Sequence, residues 1–147
     1  MRYLANGFIP VTNPPARRQM TAAAVTIVKG DALHDDGNGY ATNATTAFAA
    51  TFLGIAAADC ASGGTCEYYP VDTKTQYIVP VAASALITTT AIGSLVDLEA
   101  NDDIDLSDTI TEGIAFRVDE IVTNADAIAA NTYGYAIGHF VVVGTQA

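Results

Sequence analysis

The chain has 147 residues, half of them hydrophobic, and carries 16 acidic against 6 basic side chains for a net charge of −10. A chain of this length most simply folds as one domain with its own core. The acidic excess lies after residue 29 and disfavours nucleic acid as a partner of that body because phosphate repels it, whereas the basic N-terminal residues could still touch nucleic acid. No apolar run approaches the ~20 residues of a membrane-spanning helix, and the first residues lack the pattern of a signal peptide, so the sequence predicts a soluble protein made in the cytoplasm.

The first 20 residues are predicted to form an extended arm, separate from a β-rich domain over residues 21–147. Pro10, Pro14 and Pro15 exclude a regular helix in this segment. Residues 1–29 carry a charge of +4 and no acid, whereas the rest of the chain carries −14. A basic leader with large apolar side chains, attached to an acidic body, predicts contact with a second polypeptide. The predicted partner-binding residues are Arg2, Tyr3, Leu4, Phe8, Ile9, Arg17 and Arg18.

The rest of the chain has the residue pattern of a β protein. Short runs rich in Val, Ile, Thr, Tyr and Phe alternate with Gly, Asn, Asp and Pro, which is typical of a barrel or a sandwich. Pro70 and Pro80 predict that their strands lie at a sheet edge or end there. Two Ala-rich segments, 44–50 and 125–130, are predicted to be short helices. The strands are predicted at 24–28, 39–42, 51–56, 67–71, 76–81, 94–98, 113–118 and 139–143.

Two stretches of the chain resemble each other. Residues 25–56 and 90–116 each contain a β-branched run, a glycine, a second short run, a turn and then the tripeptide Gly-Ile-Ala. The turns are Asp35-Asp-Gly-Asn-Gly39 and Asn101-Asp-Asp103. This pattern predicts a domain built from two similar β units.

Cysteine, histidine and acidic side chains are the candidate reactive or metal-binding groups of the sequence. Cys60 and Cys66 flank a Gly-Gly turn and are a candidate disulfide, although reduced thiols fit a cytoplasmic origin equally well. Neither His34 nor His139 is spaced from the cysteines as in a zinc site. The acidic stretch from Asp97 to Glu112 fails the calcium-loop template and is typical of a solvated turn. The sequence therefore predicts no catalytic, cofactor-binding or metal-binding residues.

The order of these elements resembles the head decoration, or cement, proteins of tailed bacteriophages over roughly residues 22–143. The resemblance rests on Gly30-Asp-Ala-Leu and Leu53-Gly-Ile-Ala56, repeated as Gly93-Ser-Leu-Val and Glu112-Gly-Ile-Ala115. It implies a compact β-barrel or β-tulip-like domain, a homotrimer, and attachment to the outside of a virion capsid, where the trimer clamps neighbouring major capsid protein subunits. It implies no enzymatic activity and no cofactor.

Two other functions compete with this one. A carbohydrate- or receptor-binding β module would use Tyr68 and Tyr69 as an exposed aromatic platform. A small hydrolase would need His34 or the acidic turn beside a nucleophile, and no recognisable spacing supplies that pair. The sequence favours the structural virion protein.

Overall fold

The computed structural model describes residues 7–43, 47–48, 51–81, 91–122 and 134–144, which form an all-β fold of two sheets. Sheet A has six strands in the order β1-β7-β11-β10-β8-β9, and sheet B has five in the order β2-β6-β5-β3-β4. None of the described residues forms a helix long and apolar enough to cross a membrane. The strands are β1 (Ile9–Pro10), β2 (Arg18–Thr21), β3 (Ala32–Asp35), β4 (Ala41–Thr42), β5 (Phe52–Ala56), β6 (Thr65–Pro70), β7 (Gln76–Pro80), β8 (Leu95–Ala100), β9 (Asp103–Thr109), β10 (Gly113–Val122) and β11 (Tyr135–Val143).

The two similar stretches of sequence fold with the same strand order, one in each sheet. In sheet B, β3 lies between its hairpin partner β4 and the returning strand β5. In sheet A, β8 lies in the same way between β9 and β10. Gly30 and Gly93, shortly before the first strand of each unit, have φ values of 97° and 89°, which side chains other than glycine rarely adopt. The shared topology explains the repeated pattern of the sequence.

The core lies between the sheets and is centred on aromatic rings. Phe8, Phe48, Phe116 and Phe140 are all at least 93% buried, and their ring centroids lie 5.3–6.4 Å apart where they touch. These separations are typical of favourable tilted and edge-to-face aromatic pairs. A domain without tryptophan therefore obtains its largest buried side chains from phenylalanine and tyrosine.

The N-terminal segment is extended, but its described part is not a free arm. Phe8 is 1% exposed in the aromatic core, and Ile9 pairs with Ile78 in sheet A. Nine residues further on, Arg18 begins the edge strand of sheet B. The expectation of an arm detached from the body is thus wrong for residues 7–20, because the gap between the two sheets is filled by Phe8 of the same chain. Residues 1–6 lie outside the described part of the chain.

The expected barrel takes the form of a sandwich in the described residues. Neither sheet closes on itself through a complete ladder. One isolated bridge between Val81 and Ile104 brings edge strand β9 against the end of β7. Pro70 and Pro80 are the last residues of strands that lie inside their sheets, so the strands end there rather than occupy an edge. The predicted helices at 44–50 and 125–130 fall almost wholly outside the described residues.

Candidate interaction surfaces

Two exposed arginines lie at the start of edge strand β2, Arg17 just before it and Arg18 as its first residue. Arg17 Nη1 donates to Glu67 Oε1 at 3.0 Å, and its guanidinium carbon lies 5.6 Å from the centroid of the Tyr69 ring. The hydrogen bond to Glu67 is the main cause that raises the pKa of Arg17, and a hydrogen bond to Tyr69 raises it further. Arg18 is exposed, and no ion pair joins it to another described residue. Arg17 is therefore partly neutralised within its own chain, whereas Arg18 is available to an acidic partner.

Of the seven residues predicted to bind a partner, four are described by the structure. Phe8 is buried in its own core and offers no side chain to another polypeptide, which corrects that prediction. Ile9 is half-buried and packs with Ile78 and Ile137 on the outer side of sheet A. Arg17 and Arg18 are exposed, so their contact with a partner stays a prediction. Arg2, Tyr3 and Leu4 lie outside the described residues, and their contacts stay predictions as well.

The β8–β9 hairpin concentrates negative charge at the edge of sheet A. Asp97 is 8% exposed, and its Oδ1 accepts hydrogen bonds from the backbone N–H of Phe48 and Leu98 at 2.8 Å each. Burial raises the pKa of Asp97, and burial likewise raises that of Asp103, whose Oδ1 accepts from Ala100 N at 2.9 Å. These carboxylates hold the hairpin together. The acids of this region that project freely into solvent are Glu99, Asp108 and Glu112.

No metal site is assembled among the described residues, since no three His, Cys, Asp or Glu side chains converge there. In the acidic hairpin, for example, Asp105 Oδ1 accepts from both the backbone N–H and the hydroxyl of Ser107, at 2.9 and 2.6 Å. Carboxylates used in this way as local hydrogen-bond acceptors shape a turn rather than a cation cage.

A polar cluster that the sequence did not reveal lies on the outer face of sheet A. Asp119, at a β-bulge in β10, receives hydrogen bonds from Arg117 Nη1 at 2.8 Å and Gln76 Nε2 at 3.2 Å. His139 Nδ1 lies 2.6 Å from the same carboxylate. Three strands are thus joined by one carboxylate. Gln76, His139 and Arg117 are also neighbours in register, a juxtaposition that sequence spacing cannot show.

The two cysteines are buried, reduced and adjacent. Cys60 is 6% exposed and Cys66 is fully buried. Burial and the neighbouring Cys60 thiol raise the pKa of Cys66 to about 12. A thiol with so high a pKa is protonated at neutral pH and therefore a poor nucleophile. The pair fits a structural role, and the disulfide remains a prediction.

His34, Tyr68 and Tyr69 do not lie where a hydrolase or a carbohydrate-binding module would need them. His34 lies within strand β3, 4% exposed and 5.2 Å from the ring of Phe52, and burial lowers its pKa. Tyr68 is 7% exposed, and Tyr69 lies beneath Arg17. An exposed platform formed by Tyr68 and Tyr69 is therefore wrong for this fold. Among the tyrosines that the structure describes, the exposed one is Tyr40, at 45%.

Comparison of the chain with protein-family models and with curated proteins finds no match. Function must accordingly be argued from the chain's own geometry and charge.

Proposed function

We propose that this protein is a non-enzymatic structural component of a bacteriophage virion, which binds the outer surface of the capsid as a homotrimer and holds neighbouring major capsid subunits together. The observation that carries the proposal is the separation of charge between two sheet edges. Exposed Arg18 lies on the edge strand of sheet B, and exposed Glu99 and Asp108 lie on the hairpin at the edge of sheet A.

Two complementary surfaces on different edges of one chain favour head-to-tail association. Such contacts close into a ring when the rotation between neighbours allows it, and a ring of three is one such closure. We place this contact between side chains rather than between strand backbones. The side of β9 that faces away from β8 is already bridged to Val81 at Ile104. Many copies on a lattice gain avidity even when each contact is weak.

The described residues also support a scaffold rather than a catalyst. The buried imidazole of His34, whose pKa is lowered, lies inside strand β3, and the cysteine whose pKa is raised lies in the core of sheet B. Asp119 and His139 face the outer side of sheet A, and no serine, threonine or cysteine hydroxyl or thiol among the described residues hydrogen-bonds to that pair. Among the residues that the structure describes, no nucleophile lies beside a base.

Charge reversal at the two edges tests the proposal. The purified chain is expected to scatter light with about three times its monomer mass of 15.2 kDa, and to sediment with expanded capsids. Arg18→Glu should weaken both properties, Glu99→Lys should weaken them similarly, and the double variant should regain part of the loss because the pair is restored with opposite polarity. Lys29→Glu makes the same charge change at an exposed turn and serves as the control.

Two results would count against the proposal. If Arg18→Glu and Lys29→Glu bind capsids equally well, the edge charges do not direct assembly. If the wild-type chain neither trimerises nor sediments with capsids, the virion function itself is wrong.

A further inference from the structure

A groove of about 380 Å³ opens beside the turn that joins β3 and β4. Its floor is three consecutive alanines, Ala22 to Ala24, which follow strand β2. One wall is the 36–40 turn with Asp36, Asn38 and Tyr40, and the opposite wall is Ser62 and Gly63. Ligand sites of proteins typically have volumes of about 300–1,000 Å³, so the groove is large enough for a small ligand.

Backbone hydrogen bonds fix the floor to both walls. Ala23 N donates to Ala41 O at 2.8 Å, Ala22 N donates to Gly64 O at 2.8 Å, and Gly63 N donates to Ala23 O at 3.1 Å. A groove held in this way is formed before a ligand arrives, so little ordering is lost on binding.

The polar wall is rigid as well. Asp36 N donates to Tyr40 O at 2.9 Å, and Asp36 Oδ1 accepts from the backbone N–H of Asn38 and Tyr40 at 2.8 and 3.2 Å. The second carboxylate oxygen of Asp36 accepts no hydrogen bond from another described residue. Within the described part of the chain, no hydrogen bond occupies the side-chain amide of Asn38 or the hydroxyls of Tyr40 and Ser62. One face of the groove therefore offers an aromatic ring, and its rim offers a carboxylate, an amide and two hydroxyls.

We propose that this groove binds an uncharged pyranose unit of a glycan. A pyranose has an apolar C–H face, which a tyrosine ring covers, and a rim of hydroxyls, which carboxylate and amide groups bind. The small alanine floor lets the sugar lie flat against the backbone. Asp36 stands at the rim of the groove, and the chain has a net charge of −10, so sialic and uronic acids are disfavoured.

The size of the groove argues against a protein as its occupant. The described residues that line it number eight, whereas a stable protein interface uses about 20–30 residues on each side. The site is independent of the capsid function and neither requires nor excludes it.

Titration of the ¹⁵N-labelled protein with neutral methyl glycosides of glucose, galactose, mannose and N-acetylglucosamine tests the site. At least one glycoside is expected to shift the amide resonances of residues 22–24, 36–40 and 62–63. Tyr40→Ala should weaken that binding at least about tenfold, and Tyr40→Phe, which keeps the ring, should retain most of it. Methyl glucuronide, which carries a carboxylate, should bind at least about tenfold more weakly than the corresponding glucoside.

Tyr69→Ala is the matched control, because it removes a tyrosine that lies outside the groove and beneath Arg17. Loss of binding in Tyr69→Ala with retention in Tyr40→Ala would overturn the assignment. So would a folded wild-type protein that shows no shifts in the groove with any neutral glycoside at high millimolar concentration. Shifts in these residues that follow protein concentration instead of glycoside would show self-association at the groove and refute the proposal.

Discussion

Replacing Phe8 by alanine tests whether the N-terminal segment belongs to the core. Its ring lies 5.6 Å from Phe116, 5.7 Å from Phe140 and 6.2 Å from Tyr77, centroid to centroid, and the side chain is 1% exposed. Removing a buried phenylalanine leaves a cavity and costs about 3–5 kcal/mol. Domains of this size have total stabilities of about 5–15 kcal/mol, so Phe8→Ala is expected to remove a large part of the folding free energy.

The assay is thermal and urea unfolding followed by circular dichroism. For a domain of about 150 residues each kcal/mol lowers Tm by about 2–4 °C, so Phe8→Ala should lower Tm by roughly 10 °C. Val11→Ala is the control, because Val11 lies in the same segment and is 45% exposed; its effect should stay within about 0.5 kcal/mol. Deletion of residues 2–20, which a detached arm would tolerate, should leave the chain unfolded or nearly so. A Phe8→Ala variant with the unfolding curve of the wild type would refute this reasoning and restore the free arm.

Three further outcomes are expected. Gly138→Ala should destabilise the protein by about 3 kcal/mol or more, since a Cβ there would lie 2.0 Å from the carbonyl oxygen of Arg117 on the paired strand; a normal urea midpoint would contradict the close pairing of β10 and β11. Burial raises the pKa of Asp97, so the native state keeps this proton to higher pH than the unfolded chain does. The stability that the protonated carboxyl contributes is complete below the unfolded pKa and is lost as pH rises through the folded pKa. Asp97→Asn should therefore flatten the decline of the urea midpoint above about pH 4, and an unchanged pH profile would show that Asp97 is not responsible. Because burial raises the pKa of Cys66, diamide should oxidise Cys60 and Cys66 only slowly at neutral pH and faster at about pH 9, giving an intramolecular disulfide with a mass loss of about 2 Da; mixed disulfides between chains would show that the thiols are too far apart.

The repeated β units were readable from the sequence because each depends on local features. A glycine with positive φ, a hairpin turn rich in Asp and Asn, and short β-branched runs are all properties of neighbouring residues. The identical strand orders β4-β3-β5 and β9-β8-β10 follow from that local similarity. Barrel and sandwich, in contrast, use the same short strands and the same turns, so strand pattern alone could not separate them.

The burial of Phe8 in its own core and the position of the groove could not be predicted from the sequence. A large apolar side chain on a proline-rich segment looks the same whether it fills its own core or a neighbour's, and the choice depends on a gap between two sheets. The groove combines residues near 23, 38 and 62, which backbone hydrogen bonds bring together. Of the groove residues, only Tyr40 could have been singled out from the sequence. It is an aromatic residue directly after a turn rich in glycine and aspartate, where a turn alone does not require an apolar side chain.

The contact between Phe8 and Phe140 has a consequence for biosynthesis. These two rings meet in the core, yet they belong to residues 8 and 140, so one is translated long before the other. A nascent chain on the ribosome cannot complete this core until strand β11 has emerged, and pairings between distant segments form slowly. The apolar segment around Phe8 therefore has no completed core to enter until β11 emerges, and exposed apolar segments of this kind favour aggregation.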